Sequence, residues 1–183
     1  MLPFMRCARS GRSVIRAVAA TAACVIALMP IMGGGAEDEA SGVFGVRLPE
    51  GYRDWRLISV AHEAGGLDDL RAILGNDIAV RAFQEGTRPF PDGTVIARLA
   101  WRHQSSAANG AAFGQAQSFV AGPPTNVQFS VKDSRRYADT GGWGFGQFEG
   151  GKPNRDEALL RTCFPCHDRA AKATDRVFTH YAP

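Results

Sequence analysis

The sequence predicts an α+β fold: a predominantly antiparallel β-sheet with short flanking helices and a Cys-x-x-Cys-His motif near the C-terminus. Short segments of strand-like apolar content recur between residues 55 and 148, and turns rich in proline and glycine separate them. A single helix with clear start and stop signals precedes the motif. No internal repeat and no long run of one charge interrupts this pattern.

Local residue patterns predict the individual elements. Asn76 and Gly86 bracket residues 77–85 as the cap and the terminator of a short helix. Residues 87–93 (TRPFPDG) predict a turn, and the alternation in TVIARLAWR after it indicates a strand. The predicted strands are 55–62, 70–74, 94–102, 113–120, 127–131 and 141–148, and the predicted loops are 104–112 and 149–157.

The first 36 residues have the composition of a secretory signal peptide. Four arginines precede an almost wholly apolar segment, Ala17–Met32, and small residues lead to a cleavage position after Ala36. The apolar segment is shorter than the about 20 residues that a spanning helix needs. A retained membrane anchor is the main alternative, and lipidation at Cys24 is a weaker one. The sequence therefore predicts export to the periplasm.

Removal of this leader changes the composition of the chain. Lysines plus arginines fall by four from 21, while the 18 acidic residues stay, so the net charge changes sign from +3 to slightly negative. The basic isoelectric point therefore does not indicate a nucleic-acid partner. All four methionines and two of the four cysteines also belong to the leader. We expect a linker over residues 37–44 and one domain over residues 45–183.

The sequence Cys-Phe-Pro-Cys-His, which ends at His167, is the attachment signature of c-type haem. On a helix, the thiols of Cys163 and Cys166 and the imidazole share one face, so the thiols can add to the haem vinyl groups while the imidazole reaches the iron. Pro165 is tolerated in a first helical turn, and Thr162 is the predicted cap. The sequence predicts one covalent haem c on the two cysteines, with His167 as the iron ligand.

Three other interpretations of the cysteine pair fit the sequence less well. A structural zinc site needs four ligands, and the mature chain has no second cysteine pair. A thioredoxin-like redox pair shares the proline, but such pairs lie near the start of a βαβ domain, and this one is close to the C-terminus. A disulfide across two intervening residues would be strained and would leave His167 without a role.

The sixth iron ligand cannot be a methionine, because the mature chain contains none. The His/Met ligation common in electron-transfer cytochromes c is therefore excluded. The candidates are His62, His103, His180, a lysine, water or nothing. We expect an open or weakly occupied position, because a lone histidine in a loop or tail is more often a surface residue than a ligand. Bis-histidine ligation is the alternative.

Four segments, in order, resemble the cytochrome P-460 family and its cytochrome c-prime-beta relatives: GTRPFPDGTVIARLAW, SVKDSRRYADTGGWGF, CFPCH and DRVFTHY. The resemblance covers roughly residues 45–183. It implies an antiparallel β fold, often a homodimer, and a five-coordinate haem with His167 as the proximal ligand. P-460 enzymes oxidise hydroxylamine with a haem cross-linked to a lysine, whereas the c-prime-beta relatives lack the cross-link and bind nitric oxide or carbon monoxide.

Two positions depart from the enzyme pattern that the resemblance implies. Arg98 stands where the cross-linking lysine is expected, and a guanidinium that stays protonated is a weak nucleophile. Gln128 stands where the enzymes have a distal acid, and an amide cannot act as a general base near neutral pH. Simpler roles are a propionate or surface ion pair for Arg98 and an ordinary polar strand position for Gln128. Lys132 is predicted to be solvated at a strand end.

Several aromatic residues on the predicted strands are expected to be core rather than pocket residues: Trp101, Phe113, Phe129, Trp143 and Phe145.

Together these patterns predict an exported mono-haem c-type protein that binds nitric oxide or a related small nitrogen ligand at an open distal site. The alternatives are a hydroxylamine or nitric oxide oxidising enzyme and a bis-histidine electron-transfer cytochrome. A redox partner protein and a second copy of the chain are the expected macromolecular partners.

Overall fold

The computed structural model describes residues 39–183. The predicted signal peptide and its cleavage position lie outside the described residues. Within residues 39–183, no helix has the length and apolarity needed to cross a membrane. Residues 40 and 41, inside the predicted linker, already form a short strand.

An antiparallel sheet makes up most of the domain. Two short strands, β1 (Ala40–Ser41) and β2 (Val46–Arg47), form a separate antiparallel pair. The main sheet contains β3 (Arg56–Glu63), β4 (Asp69–Gly75), β5 (Val95–Ser105), β6 (Phe119–Lys132), β7 (Trp143–Glu149) and β8 (Lys152–Pro153). These six strands pair in sequence order, each antiparallel to the next. The predicted α+β class with a predominantly antiparallel sheet is confirmed.

Four short α-helices accompany the described strands: α1 (Asp77–Glu85), α2 (Ala107–Phe113), α3 (Glu157–Arg161) and α4 (Cys163–Ala171). The bounds of α1 match the prediction. The side chain of Asn76 accepts a hydrogen bond from the Ala79 N–H at 3.0 Å, and Gly86 ends the helix in a left-handed conformation with φ 68°.

The prediction for residues 104–118 was wrong. The predicted loop, 104–112, contains the end of β5 and all of α2 except its last residue. The Ser106 hydroxyl caps this helix by accepting from the Asn109 N–H. Phe113 ends α2 and is 62% exposed, so it belongs to neither a strand nor the core. Alanines favour a helix once a cap is present, and this preference outweighed the small-residue pattern that suggested a loop.

The two strands predicted around Pro123 and Pro124 are one 14-residue strand, β6. Prolines lack an amide donor and usually interrupt a strand. Here two register shifts between β5 and β6, on either side of Trp101, accommodate the irregular segment. The pairing therefore continues through the segment where the sequence pattern predicted a break.

Strand alternation gives the sheet two apolar faces. The helix face packs against α1 and α4, and the buried cluster there includes Ile58, Ile73, Trp143 and Phe145 of the sheet and Phe83 of α1. The N-terminal face is covered by residues 44–55, and its buried residues include Val46, Leu74, Leu99, Phe129 and Phe148. The predicted core positions Phe129, Trp143 and Phe145 are confirmed as buried. Because α4 carries the Cys-x-x-Cys-His motif, the helix face is the one that bears the candidate site.

A buried ion pair joins the end of β6 to the segment that follows α4. The Lys132 ammonium lies 3.0 and 2.9 Å from the two carboxylate oxygens of Asp175, and both side chains are less than a tenth exposed. The ammonium also donates to the Gly141 carbonyl at 3.2 Å, and Asp175 accepts from the Phe90 N–H at 2.8 Å. The expectation that Lys132 is solvated was wrong, because a partner distant in sequence compensates its burial.

Replacement of Lys132 by methionine should destabilise the protein strongly. Lys132→Met leaves the Asp175 carboxylate buried without a counterion, and the free energy of unfolding should fall by about 3–5 kcal/mol. Urea denaturation followed by circular dichroism measures the change. The control is Lys152→Met at an exposed position of β8, where we expect a change within about 0.5 kcal/mol. Equal losses in the two variants would contradict the assigned role of the ion pair.

Candidate haem site

The Cys-x-x-Cys-His motif opens α4, as predicted. Cys163 is half-buried against the core of the helix face, Cys166 is exposed, and both are free thiols. The disulfide interpretation is therefore not supported. The predicted cap at Thr162 was wrong: its backbone is helical, and its hydroxyl donates to the Leu159 carbonyl at 2.6 Å. The short helix α3 thus leads almost directly into α4.

The His167 imidazole is held in one tautomer. Its Nδ1 lies 2.7 Å from the backbone carbonyl oxygen of Arg176. A carbonyl only accepts, so Nδ1 carries the proton and the neutral ring has its lone pair on Nε2. Burial lowers the pKa of His167 below its ordinary value, although the hydrogen bond to Arg176 opposes this shift. The imidazole is therefore neutral, the form that ligates a metal.

Two aromatic rings fix the orientation of this imidazole. Phe145 of β7 and Phe178 of the C-terminal segment lie with their ring centroids 4.8 and 4.7 Å from that of His167. Phe145 is buried in the core of the helix face, whereas Phe178 is about half exposed. The ring can therefore rotate little, and Nε2 keeps its direction.

The Arg176 carbonyl is itself fixed by a reversal of the chain after α4. Asp175 and Arg176 both have positive φ angles, 53° and 66°, which are uncommon for residues other than glycine. Asp175 is held by Lys132, as described above. The Arg176 guanidinium binds Asp168 of α4, with Nη2 and Nε 2.7 and 2.8 Å from the same carboxylate oxygen. These ion pairs keep the reversal in place and bring the C-terminal segment back over His167.

A cavity of about 650 Å³ lies beside the motif, and Cys163, Cys166 and His167 all line it. This volume is in the usual range for a small-molecule or cofactor site. The rest of its wall comes mainly from the helix face of the sheet, from α3 and α4, and from the C-terminal segment. Apolar residues of the wall include Ile73, Ile96, Phe145, Leu160 and Val177, and polar residues include Glu63, Arg71, Arg98, Gln128 and Gln147. A second cavity, of about 800 Å³, lies at residues 40–49 and contains none of the motif residues.

The structure brings Arg98 and Gln128 together in the wall of the 650 Å³ cavity. Arg98 pairs with Gln128 across β5 and β6, and Gln128 pairs with Gln147 across β6 and β7. The Gln128 amide donates to the Gln147 side-chain oxygen at 2.6 Å, and Arg98 Nη2 donates to the Asn126 side chain at 2.7 Å. Both positions that the sequence singled out thus lie in one cross-strand row that faces the same cavity as His167.

Sequence reasoning missed two charged neighbours of Arg98. The Asp69 carboxylate, 5% exposed, lies between Arg71 at 2.7 Å and Arg98 at 3.9 Å. Burial and the charge of Arg71 lower the pKa of Arg98 to about 10, so the guanidinium still carries its charge at neutral pH. Arg98 does form an ion pair, but in the cavity wall rather than at the surface. Strand alternation could have predicted that Asp69 and Arg71 lie close together, because residues two apart in β4 point to the same face of the sheet.

A c-type haem fits the chemical groups that line the 650 Å³ cavity. The Nε of Arg98 is buried and has no hydrogen-bond partner among the described residues. A buried donor without an acceptor is costly, so the group that fills the cavity should supply one, as a haem propionate can. Cys163 and Cys166 offer free thiols, and His167 offers a neutral Nε2. These three residues would hold the haem, and Arg98 would meet a carboxylate of it.

The structure reduces the number of side chains that could provide the sixth ligand of a haem iron in this cavity. His62 and His103 pack around Asp68 rather than in the cavity wall, and neither lines the cavity. Lys132 is committed to Asp175, and none of the three lysines of residues 39–183 lines the cavity. Of the protein candidates considered from the sequence, His180 alone lines it.

Comparison with known families supports the haem assignment. A sequence model of the family described as Cytochrome P460 matches residues 49–179, from the segment before β3 to the C-terminal segment beyond α4. No curated protein was found to match the chain. The matched segment contains the motif, both distal candidates and every strand of the main sheet. The chain therefore belongs to the cytochrome P460 family, whose members are haem-binding c-type cytochromes.

Proposed function

We propose that the protein is an exported cytochrome with one haem, attached through Cys163 and Cys166 and ligated by His167, and that it binds nitric oxide or a related small nitrogen ligand. The observation that carries the proposal is the composition of the cavity wall. Among residues 39–183, the only imidazoles that line the cavity are the oriented, neutral one of His167 and that of His180, and no lysine or methionine lines it. A ferrous haem in such a site supplies an iron that is open to a diatomic ligand.

The cavity wall favours binding over oxidation. No lysine lines the cavity within the described residues, and Arg98 remains protonated, so a bond from a side-chain amine to the haem has no donor there. The acid that does line the cavity, Glu63, is bound to Arg71 at 2.8 Å. Gln128 is neutral and already donates to Gln147. A proton acceptor for hydroxylamine oxidation is thus missing from the positions where the family resemblance places one.

The wall can still orient a bound ligand. The Gln128 amide donates to Gln147, and its side-chain oxygen accepts from no group of residues 39–183, so it could accept from a ligand. Gln147 in turn donates to Glu149 at 3.0 Å. A small nitrogen ligand would meet this amide together with the apolar residues of the cavity wall. A redox partner protein and a homodimer stay predictions.

Absorption spectra of the purified ferrous protein test this proposal. We expect a five-coordinate high-spin spectrum whose Soret band shifts when carbon monoxide or nitric oxide is added, because no side chain competes for the sixth position. The unliganded band should lack the strong red shift of a cross-linked haem. A six-coordinate ferrous protein that refuses nitric oxide would overturn the proposal, and steady turnover of hydroxylamine with an electron acceptor would favour the enzyme alternative.

Replacement of His180 tests the proposed open site against the alternative, an electron-transfer cytochrome with two histidine ligands. His180→Ala should leave the ferric and ferrous spectra unchanged, because the sixth position is proposed to be open. A change from a low-spin to a high-spin spectrum in this variant would identify His180 as the sixth ligand. The control is His62→Ala, whose side chain lies outside the cavity; it should preserve the spectrum under either hypothesis.

A further inference from the structure

A second group of metal-binding residue types lies away from the haem cavity. His62 near the end of β3, Asp68 in the turn before β4, and His103 near the end of β5 place their side chains together, with the three ligand atoms within 4.8 Å of one another. By strand alternation, His62 and His103 belong to the N-terminal face, together with Leu70 and Trp101. None of the three residues lines the haem cavity, and the proposed haem function uses none of them.

The distances in this triad suit a single cation. His62 Nε2 and His103 Nδ1 lie 3.1 and 3.2 Å from the same oxygen of Asp68. Zinc–nitrogen and zinc–oxygen bonds of about 2.1 Å imply ligand separations of about 3.0 Å in octahedral and about 3.4 Å in tetrahedral geometry. The two nitrogen–oxygen distances fall between these values, and the ligand atoms of all three residues lie within 4.8 Å of one another. Rotation of the exposed His62 and Asp68 side chains would bring the three atoms to bonding distance of one cation.

The backbone and neighbouring rings hold the triad in place. Asp68 has a positive φ of 41°, and its carbonyl accepts a hydrogen bond from the His103 N–H at 2.9 Å. The two imidazole rings lie 4.2 Å apart, and the His103 ring stacks on Phe119, also at 4.2 Å. Two strands and one turn thus fix three ligands, and little side-chain freedom is lost when a cation binds.

We propose that His62, Asp68 and His103 form a binding site for one divalent transition-metal ion of the zinc and copper class. Imidazole nitrogens favour such ions, whereas calcium and magnesium prefer sites made only of oxygen. The carboxylate neutralises half of the ion's charge. Asp68 and His62 are 55% and 41% exposed, so the ion can enter from solvent and complete its coordination with water. Bound there, it would link the β3–β4 turn to β5.

Calorimetric titration tests the site directly. The haem-loaded protein, prepared without a histidine tag, is titrated with zinc chloride in a non-chelating buffer. We expect one zinc ion per chain in addition to the haem iron. Asp68→Asn keeps the size and hydrogen-bonding capacity of the side chain but removes its charge, and should weaken binding at least tenfold. The matched control is Asp139→Asn at another exposed position, which should bind as the wild type does.

The melting temperature distinguishes a metal site from a triad that is held together only by hydrogen bonds. At a hundredfold excess of zinc over its dissociation constant, the melting temperature of the wild type should rise by about 5 °C or more, and that of His62→Gln should not. The haem absorption spectrum of each variant reports whether the domain is intact. No saturable zinc binding by the wild type, or an unchanged affinity in Asp68→Asn, would overturn the proposal.

Discussion

The candidate haem site depends on the buried ion pair between Lys132 and Asp175. Lys132 ends the central strand β6, and Asp175 begins the left-handed reversal that follows α4. The reversal puts the Arg176 carbonyl 2.7 Å from His167 Nδ1, and the carbonyl then decides which nitrogen of the imidazole is free. An ion pair that does not touch His167 therefore supports the contact that sets the tautomer and direction of the proposed iron ligand, as supporting contacts commonly do in metal sites.

The same arrangement limits the chemistry of the cavity. Arg98 and Gln128 lie side by side in its wall, where a lysine and an acid would serve hydroxylamine oxidation in the family that the chain resembles. A guanidinium that stays protonated cannot form the bond that a lysine amine makes to the haem, and a neutral amide cannot readily take a proton from a bound ligand. In the proposed function, the free thiols and the oriented imidazole attach the haem, and the sheet wall selects the ligand. This division of roles supports a binding protein more than an oxidase.

Features governed by local rules were predictable from the sequence. The capped helix α1, the start of the haem-motif helix at Cys163 and the antiparallel class all follow from spacing and capping signals. Features that depend on residues distant in sequence could not be predicted in this way. Lys132 is buried because Asp175, 43 residues away, neutralises it, and β6 passes through two prolines because its partner strand accommodates register shifts. His62 and His103 seemed isolated because only the sheet register brings them together.

The mass of the acid-denatured, purified protein tests the central claim most directly. Thioether bonds to Cys163 and Cys166 survive denaturation, whereas a haem held only by His167 and packing is released. We predict a polypeptide that begins after residue 36 and is heavier by the mass of one haem, and loss of that added mass when both cysteines are replaced by alanine. A wild-type polypeptide that carries no added mass would contradict covalent attachment and the assignment of the Cys-x-x-Cys-His motif as the haem anchor.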